Sequence, residues 1–197
     1  MRGELRGMGD GDPGGELRYC VDARDVIVAV GGAWLDFAKA NDGQNLEPRA
    51  VIGQSLWNYV RSRALRTLYG QLLDHVRRRQ TPFHFAFRCD SPGVKRSMAM
   101  ALIPLDDYGS VEFVSRIIAV EPRVRPVTVR EGFRAPRSVV YCNLCSQLRV
   151  DGQWLPLEEA IARHPLLADD RQLLVIHGAC DACRGALQRR LKGSALG

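Results

Sequence analysis

Four of the six cysteines fall into two Cys-x-x-Cys pairs, Cys142-Asn143-Leu144-Cys145 and Cys180-Asp181-Ala182-Cys183. One such pair presents two sulfurs from a single tight turn, and a second supplies the remaining corners of a tetrahedron. The second pair opens a predicted helix, Cys183 to Lys192, whose positive end favours thiolate over thiol. A hairpin knuckle combined with a knuckle at a helix start is the ligand layout of a treble-clef-like zinc module, expected over residues 139–197. Structural zinc on Cys142, Cys145, Cys180 and Cys183 is the leading expectation; a redox dithiol, an iron–sulfur centre and free thiols in an apolar core stay open. Fifty-nine residues form only a small core. A bound metal would add stability on the order of 10 kcal/mol or more, as in zinc-finger peptides. Loss of the metal should therefore unfold residues 139–192 and leave the rest of the chain folded. His177 could replace one cysteine as a ligand, or hydrogen-bond behind one. Cys20 and Cys89 have no close sequence partner and read as buried small hydrophobes.

Other reactive chemistry is thin. The histidines, at 75, 84, 164 and 177, sit in no hydrolase-like motif, and neither a glycine-rich phosphate loop nor a nucleophile elbow occurs. The chain is expected not to be an enzyme.

The net charge is +6, and residues 121–138 carry five arginines against two glutamates. With Pro122, Pro126 and Pro136, the segment 122–138 reads as a basic linker: a solvated tether rather than a phosphate-binding arm built from Arg123, Arg125, Arg130, Arg134 and Arg137. Nucleic-acid binding through this linker and the metal module is the less favoured alternative. A composition of 46% hydrophobic and 25% charged residues excludes a disordered or collagen-like chain. The longest apolar runs, Val26 to Val30 and Met98 to Leu102, fall far short of the roughly 20 residues of a membrane helix. No membrane association is expected, and the cysteines read as thiols of a cytoplasmic, reducing compartment.

The elements that must carry these residues are legible in part. Residues 1–18, with six glycines and a proline, read as a flexible tail. Asp25 to Val30 reads as a buried strand ended by Gly31-Gly32, with a second element at Ala33 to Ala38. Ser55 caps a short helix at Leu56-Trp57. Leu65, Leu68, Tyr69, Leu72, Leu73 and Val76 recur at helical spacing between Ser62 and Arg79. The arginines flanking that stripe read as a solvated face. Phe83, Phe85 and Phe87 alternate with polar or small residues, as do Met98, Met100 and Leu102, and Val111 to Val120 is nearly continuous. Three strands follow from this, separated by turns at Asp90-Ser91-Pro92-Gly93 and Asp106 to Gly109.

Residues 19–121 resemble the PAS domain family. The resemblance rests on Asp25 to Val30, on Trp34-Leu35-Asp36-Phe37-Ala38 with Asn41, on Val51-Ile52-Gly53-Gln54-Ser55-Leu56-Trp57, and on the strands beginning at Phe83 and Met98. It is closest to a bacterial subgroup with an Arg-Cys-Asp-Ser-Pro turn, here Arg88-Cys89-Asp90-Ser91-Pro92. The resemblance implies an α+β fold: a five-stranded antiparallel sheet, order 2-1-5-4-3, with helices over one face. It also implies a pocket, lined here by Leu65, Tyr69, Leu72, Phe83, Phe85, Phe87, Met98 and Met100, that takes a small-molecule ligand of unknown identity. Such domains sense ligands or dimerise, so a homodimer or a signalling partner is expected. Gly31-Gly32 replaces an asparagine often found between the first two strands, loosening the start of the second.

The flavin photosensors of the family carry a cysteine after the glycine corresponding to Gly53. None is present here, which argues against a cysteinyl-flavin adduct. Haem would need His75 to face the pocket, but it lies at the margin of the apolar stripe, which argues against haem. The C-terminal part is similar to an extension of bacterial signalling proteins, Cys-x-x-Cys…Trp…Thr-His-Gly-Ile-Cys-Pro-x-Cys. Ile176, Ala179 and Asp181 depart from that pattern and all four cysteines are kept. Together these features imply a non-catalytic sensory protein coupling a PAS domain to a zinc-stabilised interaction module.

Overall fold

A computed structural model of the protein describes residues 15–40, 46–60, 62–132, 139–164 and 172–193. The chain is mixed α+β with two five-stranded sheets. The first is built from β1 (Leu17–Val21), β2 (Ile27–Gly32), β3 (Phe83–Arg88), β4 (Val94–Pro104) and β5 (Val111–Pro122). It is antiparallel throughout, with the order β2-β1-β5-β4-β3, the order implied by the resemblance. Between β2 and β3 come α1 (Trp34–Ala40), α2 (Pro48–Val51), a 3-10 turn (Leu56–Asn58) and α3 (Arg63–Arg79). The alternation in β3 and β4 buries Phe83, Phe85, Met100 and Leu102 against Leu68, Leu72, Leu73 and Val76 of α3, and Met98 against Trp34, Leu46 and Val51. Helix α3 stops at Gln80, which takes the left-handed conformation at φ 51° and returns its N–H to Val76.

The N-terminal boundary differs from expectation. The first strand is Leu17–Val21 and pairs with both β2 and β5, so Leu17 and Arg18 belong to the sheet rather than to a tail. Residues 1–14 lie outside the described residues. Strand β1 shows little periodicity of its own; it is fixed by partners far along the chain, as when Arg18 reaches Glu112, 94 residues away. Residues 34–40 are helical and not a strand. Gly32 makes the turn possible: at φ +64° its missing Cβ would stand 2.0 Å from the Glu16 carbonyl oxygen, which accepts a hydrogen bond from Ala33 N–H.

The second sheet was not expected. It comprises β6 (Thr128–Glu131), β7 (Val139–Cys142), β8 (Gln147–Val150), β9 (Gln153–Pro156) and β10 (Gln172–Gly178), in the order β6-β10-β7-β8-β9. Helices α4 (Leu157–Arg163) and α5 (Asp181–Gly193) complete this half. Its core is Val139, Leu148, Leu155, Leu157, Ala160, Leu173 and Val175.

The reading of residues 122–138 as a solvated tether fails where they are described. Thr128–Glu131 is a strand pairing in parallel with β10, and the Arg123 side chain is only 2% exposed. Arg123 bonds to Asp90 of the Arg-Cys-Asp-Ser-Pro turn and to Glu158 of α4. Asp90 also accepts from Arg88 and from the Arg96 N–H, and Lys95 pairs with Glu158. Composition marks arginine and proline as linker-like, but it cannot show a carboxylate supplied by a turn 33 residues upstream. Arg134 and Arg137 lie outside the described residues.

Candidate metal centre

Parallel pairing brings the two cysteine pairs together. Strands β7 and β10 run side by side with Cys142 opposite Gly178, so both finish at the same end of the sheet. The first pair lies in the turn from β7 into β8, closed by Ser146 at φ 60°, whose N–H bonds the Cys142 carbonyl at 2.8 Å. The second pair starts α5, where Cys180 precedes the helix and its carbonyl accepts from Arg184 N–H.

The four Sγ atoms lie within 4.8 Å of one another, with Cys145 and Cys180 3.8 Å apart. A tetrahedron with zinc–sulfur bonds of about 2.3 Å has edges of about 3.8 Å. Cys142 and Cys180 are buried, and Cys145 and Cys183 half-buried. Backbone amides point at the sulfurs: Cys180 N–H donates to Cys142 Sγ at 3.3 Å and Cys183 N–H to Cys180 Sγ at 3.4 Å. The Cys142 thiol is pushed down to about 5, chiefly by the hydrogen bond from the Cys145 thiol and also by amides of Cys180, Leu144 and Cys145. Burial pushes Cys183 up to about 12. The hydrogen bond with Cys142, and then burial, push Cys145 upward. Thiols this close resist ionising together, and a soft divalent cation would remove that opposition. The donor set and spacing therefore fit a tetrahedral metal ion.

His177 is outside the sulfur cluster. Its Nδ1 lies 3.0 Å from Asn143 Oδ1, inside the first knuckle, and its ring stands edge-on to Tyr141. Tyr141 in turn donates to Ser146 Oγ at 2.7 Å. Cys20 and Cys89 are half-buried rather than buried and are not among the clustered sulfurs.

The cysteine centre is part of the main core. Cys142, Leu144, Cys180 and Leu187 belong to the same apolar cluster as Leu72, Val76, Phe83, Phe85 and Phe113. The Leu144 carbonyl, between the first two cysteines, accepts a hydrogen bond from Arg88 N–H at the end of β3. Sequence reasoning missed this contact because both partners look like ordinary turn residues.

The other proposed site residues lie along the same sheet and helix. Leu65, Leu72, Phe83, Phe85, Met98 and Met100 are buried, and Tyr69 and Phe87 are half-buried. They are not one group: Met98 packs with Trp34, Leu46 and Val51, whereas Phe83, Phe85 and Met100 pack with α3. Burial pushes the Tyr69 phenol up to about 12 and Tyr19 well above its usual value. Tyr19 stacks on Phe113 with centroids 4.6 Å apart. His75 is buried, not marginal, with its ring edge-on to Phe83, whereas His84 is exposed. Among the described residues, no helix is long and apolar enough to cross a membrane. No protein-family model and no curated protein matches the chain.

Proposed function

We propose that this chain is a non-catalytic PAS-type sensory protein of the cytoplasm, in which a ligand- or dimer-sensing domain is joined to an interaction module held by structural zinc. The observation that carries the reading is the shared core, in which Leu144 and the buried cysteines pack with α3 and β3. Any change in ligand or partner that shifts α3 or β3 would be felt directly at the knuckle. Strand order 2-1-5-4-3 with intervening helices supports the PAS assignment. A knuckle at a hairpin and a second at a helix start support a treble-clef-like module. Zinc, when bound, supplies cross-linking stability and no redox chemistry.

Native mass spectrometry of the full chain, purified without added metal, tests this reading. The expected mass is the polypeptide plus one zinc per chain, and the same spectrum reports any retained organic ligand and the subunit number. Iron with sulfide, or a metal-free species, would overturn the zinc assignment.

A further inference from the structure

Two apolar cores lie between the first sheet and its helices, and they do not merge. One is built on α3, with Leu72, Phe85 and Phe113 among its members; the other gathers Leu17, Trp34, Val51 and Met98 under α1 and α2. Tyr19, Val30, Tyr59 and Phe87 pack against both cores, and each is only half-buried. Strand alternation puts Tyr19 on the face of β1 that buries Leu17 and Val21, and Phe87 on the face of β3 that buries Phe83 and Phe85. Tyr19 stands in register between Val30 of β2 and Phe113 of β5. Side chains on the covered face of a sheet keep solvent exposure only where the cover leaves an opening, so a recess separates the two cores.

Tyr69 reaches the same place from α3. Its ring lies 6.3 Å from the Phe113 ring on which Tyr19 stacks, within 17° of parallel, and its phenol is near enough to raise that of Tyr19. Trp34 closes on Tyr19 edge-on at 6.0 Å. The two phenols have no internal use: among the described residues neither hydroxyl makes a hydrogen bond, whereas Tyr141 donates to Ser146. Neither is among the sealed polar atoms that lack a partner, so both open on accessible space.

The chemistry of this recess selects its occupant. Burial is the main cause of the upward shift of both phenols, followed by Tyr69 for Tyr19 and by the Cys89 thiol for Tyr69; no ionised side chain contributes. Both hydroxyls therefore stay protonated near neutral pH and are available as donors. An apolar recess without a counter-charge disfavours an ion, and aromatic walls favour a flat ring.

We propose that the recess between the two cores binds a neutral, flat aromatic molecule carrying a hydrogen-bond acceptor, held by the Tyr19 and Tyr69 hydroxyls and by the rings of Tyr59 and Phe87. The inference rests on the sensory reading above and names the ligand class for it. It also moves the site: Leu72, Phe83 and Met100, implied as pocket residues by the resemblance, are buried in the core, and Tyr19, Val30 and Tyr59 take their place.

Equilibrium dialysis of the full, metal-loaded chain tests the proposal, with coumarin as the probe, naphthalene as a flat ring without an acceptor, and coumarin-3-carboxylate as the charged counterpart. Coumarin should bind. Tyr19→Phe and Tyr69→Phe should each weaken it about three- to tenfold and leave naphthalene binding unchanged. Neither variant should lower the thermal midpoint of the unliganded protein, because no internal bond is lost. The carboxylate should bind at least about tenfold more weakly than coumarin. No coumarin binding, unchanged affinity in both phenylalanine variants, or equal binding of the carboxylate overturns the proposal. An anionic ligand retained on purification, with no coumarin binding, overturns it while leaving the sensory reading intact. Hydrogen exchange of the coumarin complex tests that reading separately: protection gained in α3 but not at residues 142–145 refutes the coupling and supports the binding site.

Discussion

Arg123→Ala should destabilise the protein by about 3 kcal/mol, where an alanine in a solvated tether would cost almost nothing. The Arg123 side chain is 2% exposed, beside an Asp90 side chain exposed by 6%. Removing one partner of such a buried pair costs about 3–5 kcal/mol, mostly through the charge left behind. Here Asp90 keeps Arg88 and the Arg96 N–H, and Glu158, 47% exposed, keeps Lys95 at 3.0 Å. Neither carboxylate is orphaned, so the lower end of that range applies. For a chain of this size each kcal/mol shifts Tm by about 2–4 °C, giving a drop of about 6–12 °C. Thermal unfolding followed by circular dichroism measures it, with Arg125→Ala as the comparison, because Arg125 is exposed in the same segment. Exposed substitutions of that kind stay within about 0.5 kcal/mol. If Arg123→Ala and Arg125→Ala melt within about 2 °C of each other, the ion cluster is not what docks this segment.

Because the cysteine centre shares a core with the first sheet, Cys180→Ser should lower hydrogen-exchange protection in α3 and β3 as well as in residues 139–192; loss confined to the latter would restore two independent modules. His75, pushed below its usual value mainly by burial, leaves the unfolded state binding more protons just below pH 6.5, so its contribution is present above that pH and declines as pH falls. The stability advantage of the parent over His75→Phe, read from urea midpoints, should therefore be smaller at pH 5 than at pH 7.5, and parallel profiles would contradict this. Gly32→Ala should cost on the order of 1–3 kcal/mol, since the site combines positive φ with the Glu16 carbonyl at 2.0 Å. Gly31→Ala, with nothing within 4 Å, should be close to neutral by the same denaturation assay, and equal losses at the two sites would remove the steric argument.

The cysteine centre was legible to the level of its four ligands, because a Cys-x-x-Cys turn is a local object and its chemistry needs only the spacing. The strands around Phe83 and Met98 and the long helix were legible for a similar reason, since periods of 2 and 3.6 are written into consecutive residues. Strand β1 was not, because its five residues acquire a face only when β2 and β5 flank it. Helical spacing put His75 at the stripe margin but could not show its burial, because the ring that covers its edge, Phe83, belongs to the strand after the helix.

The amino-acid sequence by itself determined the donor set, the amphipathic helix and the alternating strands, all of which depend on interactions between near neighbours. Tertiary structure alone decided what those parts face. Parallel pairing of β7 with β10 brought Cys142 beside Gly178 and so assembled the four sulfurs. Docking of α5 beside β3 set the Arg190 guanidinium over the Phe83 ring. The carboxylates of Asp90 and Glu158 turned a linker-like arginine into a buried cross-brace. Composition records how many charges a segment holds, but whether a charge is solvated, paired or aimed outward depends on groups that folding brings from elsewhere, and no local pattern encodes their distance.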